Sequence, residues 1–154
     1  MIRELKNLSR DEMEALIKAP LLVSILIAGA DGKIDRNEIN SAMESSLEKA
    51  RRSNALRAFY ENVSEDFEDK LKVIIQSYSS SADKRGKKIA EELTALNPIL
   101  SKIDGKLAKE IYDSLLQMAL GIAKSSGGIF GLKSIGEEEA RYLNLSMIQP
   151  PSGS

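Results

Sequence analysis

The chain has 154 residues, 42% of them hydrophobic and 29% charged, enough for one domain with its own core. Lys plus Arg number 22 and Asp plus Glu 23, so the net charge of -1 gives no bulk attraction to nucleic acid or an anionic membrane. With no cysteine and no histidine, disulfides, zinc-thiolate sites, thiol redox chemistry and imidazole catalysis are excluded. Any bound metal would be held by oxygen, which favours hard cations such as calcium, magnesium or manganese.

Ser9 and Glu12 have capping-box spacing and predict a first helix to Lys18. Pro20 suits the first turn of a second helix, LLVSILIAGA, which is apolar nearly all round. This apolar run, from Pro20 to Ala30, is far below the roughly 18 residues of a membrane span. Because the N-terminus is charged, without a signal-peptide core, a cytoplasmic protein is expected. Asp31-Gly32 ends the second helix, and Asp35 opens a third with Ile39, Met43 and Leu47 inward. Residues 51–62 predict a helix or two short turns. Ser64 is the expected N-cap of a helix carrying Phe67, Leu71, Ile74, Ile75 and Tyr78 on one face. Ser79-Ser80-Ser81 breaks that helix, and another runs from Ala82 to Leu96. Pro98 and Asp104-Gly105 mark a bend and a turn. Leu107 to Ser125 is the second strongly apolar helix, followed by a glycine-rich loop and a short helix to Leu145. The pattern predicts an all-α bundle of about seven to eight helices spanning 1–145, with 146–154 as a flexible tail.

The chain also echoes itself. Ile25–Ile39 (ILIAGADGKIDRNEI) and Leu120–Ala140 (LGIAKSSGGIFGLKSIGEEEA) each carry an apolar helix, a glycine turn, an isoleucine and an acidic helix start. Two pseudo-symmetric helix-turn-helix halves are the expected consequence.

These two segments resemble the TerB-like family, named for bacterial tellurite resistance. AGADGKIDRNE is similar to the family's small-small-Asp-Gly turn before an acidic helix start, and AKSSGGIFGLKSIGEEE to a variant second turn. The resemblance runs from about Leu21 to Leu145. It implies a bacterial or phage source and a non-enzymatic stress-response role. It also implies that Asp31, Glu38 and Glu139, with Asp35 a further candidate, bind a divalent metal ion. Ser126 stands where a second aspartate would complete a symmetric site. The family name does not imply tellurite reduction, since the chain has no thiol.

Each candidate also has a plain structural account. Asp35 and Glu38 have N-cap and N3 spacing, and Asp31-Gly32 fits an ordinary turn. A calcium loop starting at Asp31 needs its bidentate glutamate at position 42, which is Ala42. Glu137, Glu138 and Glu139 suit the positive end of a helix. Phe130 and Leu132 lie among glycines, either as a lid tucked under the bundle or as a contact for an unidentified protein partner. That loop has no Gly-Lys-Ser/Thr ending and is no phosphate loop. Lys84, Arg85, Lys87 and Lys88 form a basic cluster expected as a solvated face, with Lys87 and Lys88 paired to Glu91 and Glu92. The tyrosines do not interleave with basic residues, so no nucleic-acid platform is expected. A metal-free interaction scaffold is the alternative function.

Overall fold

The computed structural model describes residues 3–30, 34–127 and 142–152. After a 3-10 turn at Arg3–Leu5 come α1 (Arg10–Ala28), α2 (Arg36–Ala50), α3 (Asn54–Ser64) and α4 (Phe67–Ser77). They are followed by α5 (Ala82–Thr94), α6 (Leu96–Leu100) and α7 (Gly105–Gly127). The fold is all-α, with no strand among the described residues. No described helix is long and apolar enough to cross a membrane.

The start of α1 follows from local sequence. Ser9 Oγ accepts from the Glu12 amide, and the Glu12 carboxylate accepts from the Ser9 amide, which together make a capping box. Lys102 reaches Glu12 from the turn before α7 and pairs with it. Lys102, then the Ser9 amide, hold the Glu12 carboxyl below its ordinary value. The resulting stability is present above the ordinary carboxylate value and is lost as pH falls through the lowered one. Ser9→Ala is expected to cost about 1 kcal/mol in urea unfolding. Glu12→Gln should flatten the acidic limb of stability against pH.

Where the sequence predicts two helices meeting at Pro20, the structure has one. α1 runs unbroken for 19 residues with Pro20 inside it. Proline removes one helical hydrogen bond and crowds the preceding turn, which ordinarily breaks a helix. Here every residue from Ala19 to Ala28 is buried, and that packing outweighs the local penalty. Ser24 donates its hydroxyl back to the Pro20 carbonyl at 2.7 Å and to Met118 Sδ at 3.1 Å.

As the apolar pattern requires, α1 occupies the centre. It packs most extensively on α7 and also touches α2, α3, α5 and α6. Leu16, Val23, Ile25 and Ile27 from α1 meet Ile111, Leu115, Ala119 and Ile122 from α7 in one core. Each fully buried aliphatic side chain contributes roughly 1.5–3 kcal/mol. Glu12 beside Lys102 and Ser24 against Met118 show that α1 and α7 run in the same direction.

Several local expectations are corrected. Ser64 does not cap α4; it is the last residue of α3, and its hydroxyl donates to the Glu61 carbonyl at 2.8 Å. Burial of Val63 carries α3 past the predicted break, and Asp66, in the left-handed region at φ 51, makes the turn into α4. Residues 51–62 resolve into α3, capped by Ser53. α6 includes Pro98 in its first turn, where a missing amide is tolerated. Within 146–152, expected as part of a flexible tail, Ile148 is buried in the core. Asn97 donates to the Met147 carbonyl and accepts from the Gln149 amide, gripping both sides of Ile148.

The basic cluster divides. Arg85 is only 5% exposed and turns inward. It donates to the Gly29 carbonyl at 2.7 Å and to the Ser79 carbonyl at 3.3 Å. Lys87 pairs with Asp83 at 3.2 Å, not with Glu91, an acid four residues before a base being the favoured order on a helix. Glu92 is drawn to Lys18 and to the Tyr78 hydroxyl, not to Lys88.

Candidate functional site

The acidic turns are only partly visible. Asp31, Glu139, Phe130 and Leu132 lie outside the described residues, as does most of the second motif. Asp35 is exposed and its Oδ1 accepts from the Asn37 amide at 2.9 Å. It is thus the N-cap of α2, as one of its two readings expects. Glu38 sits in the first turn of α2, half-buried, with its Oε2 enclosed by protein. Among the described residues no group of three carboxylates is placed to hold an ion.

What Glu38 does line is a groove of about 620 Å³ between α2, α3 and α7. Its shape follows from which residues α2 turns toward α7. Ala42, Ser46 and Ala50 lie at four-residue spacing on the inner side of α2, where large aliphatics would have filled the space. Gly121 on α7 continues the gap: a Cβ added there would meet nothing within 4 Å. Ser53, just past α2, caps α3 and donates to Glu110 Oε1 at 3.1 Å. That bond sets the C-terminal end of α2 beside the first half of α7, so the Glu38 end lies toward the last turns of α7.

A buried phenol supports the groove floor. Tyr60 is fully buried, and its ring meets Phe59 edge-on, with centroids 5.2 Å apart and planes at 84°. Its hydroxyl lies 2.6 Å from Ser114 Oγ and also bonds Ser46. Ser114 commits its proton to the Ile111 carbonyl at 2.7 Å. Ser46, the other hydroxyl beside the phenol, lines the groove together with Ser114. Burial pushes the Tyr60 phenol up to about 12, although the hydroxyls of Ser114 and Ser46 pull it down.

The groove lining carries both charges. Glu38, Lys49 and Arg52 stand on the α2 side and Glu110 and Asp113 on the α7 side. Asp113 pairs along its own helix with Lys109 at 3.0 Å. Among the described residues neither Lys49 nor Arg52 joins an ion pair within 4.0 Å.

Apart from Glu38, none of these groove residues stands out in the sequence as a site. The available signal is the run of small residues Ala42, Ser46 and Ala50 on a helix face that also carries Ile39 and Met43. Small and polar residues on an inward stripe mark a place where two helices leave space between them.

Compared with known proteins, the chain matches no family model, no curated protein and no solved structure.

Proposed function

We propose that the chain is a TerB-like stress-response module of the bacterial cytoplasm, non-enzymatic, that binds a divalent cation through its acidic turns. The observation that carries this reading is the side-by-side, same-direction packing of α1 and α7. Each of the two similar motifs begins in one of these helices, so packing them in parallel sends both motifs out at one end of the bundle. Two parallel helices are what a two-fold axis running along them relates, which supports pseudo-symmetric halves and a further short helix in the second. Glu38 lies at that end of α2, and on this reading Asp31 and Glu139 are the ligands that join it.

The test is calorimetric titration of the intact protein with calcium, magnesium and manganese. One ion is expected to bind, with at least tenfold weaker affinity in Asp31→Asn, Glu38→Gln and Glu139→Gln. Silence from all three ions in the unaltered protein overturns the metal reading.

One observation favours the metal-free scaffold instead: the Asp35 carboxylate is engaged in capping α2. On that reading Phe130 and Leu132 are the partner contact. A pull-down with Phe130→Ser then loses partners that the unaltered chain retains, and identical partner sets count against it.

A further inference from the structure

We propose that the groove between α2, α3 and α7 is a binding site for a small zwitterion, a ligand carrying both an ammonium and a carboxylate, of the amino-acid or short-peptide class. It shares Glu38 with the proposed ion site but does not rest on that reading. It rests on the charged lining and the hydroxyl floor.

A cavity of about 620 Å³ falls within the range of small-molecule sites, and close-packed interiors leave such a volume only where side chains are kept small. Lys49 and Arg52 line it together with Glu38, Glu110 and Asp113, and among the described residues no ion pair joins the two signs across it, Glu110 being held by Ser53 and Asp113 by Lys109. Opposite charges lining one cleft without meeting are satisfied together by a molecule that bears both signs. A plain anion would meet the carboxylates of α7, and a plain cation the two basic groups of α2 and its following turn. Either loses on one wall what it gains on the other.

The floor selects for the same class. Ser46 and Ser114 both line the groove, and their hydroxyl oxygens can accept from an ammonium or an amide N–H. The phenol bonded to Ser114 is fully buried, so that part of the floor is held in place before any ligand arrives. Toward the far end, before Glu38, the lining changes to Ala42, Met118 and Gly121, leaving room for a side chain or a second residue.

The experiment is calorimetry on the full chain with a pool of the free amino acids and, separately, a pool of random tripeptides. Binding is expected from at least one pool, and which one responds sets the ligand's length. Binding should fall at least tenfold when the responding ligand is N-acetylated or C-amidated, and equally in Lys49→Ala/Arg52→Ala. Gly121→Phe is expected to fold normally, since its Cβ enters open space, and to abolish binding by filling the groove. Absence of heat from both pools overturns the proposal. So does binding that survives Gly121→Phe, or binding indifferent to blocking both charged ends.

Discussion

Replacing Arg85 by alanine is expected to destabilise the protein by about 3–5 kcal/mol in urea unfolding, since it removes two charge-assisted hydrogen bonds and strands a buried carbonyl. The guanidinium reaches from α5 to the Gly29 carbonyl, at the end of α1, and to the Ser79 carbonyl, in the turn before α5. It therefore satisfies a helix C-terminus that has no basic residue in its own last turn. Desolvation alone lowers the Arg85 pKa, and the group remains charged. Lysine in its place is expected to recover only part of the loss, because one ammonium cannot span both carbonyls as the planar fork does. Gly29 is matched to this contact. A Cβ there would fall 2.7 Å from Arg85 Nη2, and 2.9 Å from both the Ile25 carbonyl and Ile34 Cγ1. Gly29→Ala should thus be destabilising by itself, and the double variant with Arg85→Ala should cost less than the sum. Strict additivity would show that the two residues do not share one contact.

The second large effect is expected at Tyr60. Tyr60→Ala removes a fully buried ring and its edge-on contact with Phe59, and should cost about 3–5 kcal/mol. Tyr60→Phe keeps the ring and removes only the hydroxyl, so about 1–2 kcal/mol is expected from the hydrogen bonds to Ser114 and Ser46. The same residue predicts an alkaline limb. Its phenol is raised from 10.0 to about 12 by burial, so the folded state holds a proton that the unfolded chain releases earlier. Stability from this source is complete below pH 10 and declines as pH rises toward 12. Tyr78 acts in the same direction, raised by burial and by the hydrogen bond and charge of Glu92. Tyr60→Phe should therefore shallow the decline between these pH values without removing it. An unchanged slope would contradict the burial of the phenol as the cause.

How much of this was legible in the chain differs from element to element. The core of α7 follows from Ile111, Leu115, Met118 and Ile122 at helical spacing, and all four are buried. The cap of α2 follows from Asp35 ahead of an amphipathic run. At Pro20 the local rule is overruled, because the penalty for an interior proline is local whereas the packing that offsets it comes from the surrounding helices. For the same reason Arg85 looked like one of four solvated cations. Its carbonyl partner Gly29 lies 56 residues away, and only the contact of α1 with α5 brings them together. The Ile148 segment was hidden likewise, since the Asn97 clamp that holds it comes from α6.

By itself, the sequence determined the all-α class, the two apolar helices at the centre, and the exclusion of thiol and imidazole chemistry. Those follow from residue types and from periodicities within a single helix, which need no partner to be read. Only the tertiary structure decided that α1 and α7 run the same way, that Arg85 closes α1, and that α2 and α7 stand apart over a floor of hydroxyls. Each of these depends on groups distant in the chain meeting in space, and a pattern read along one helix carries no record of what lies across from it.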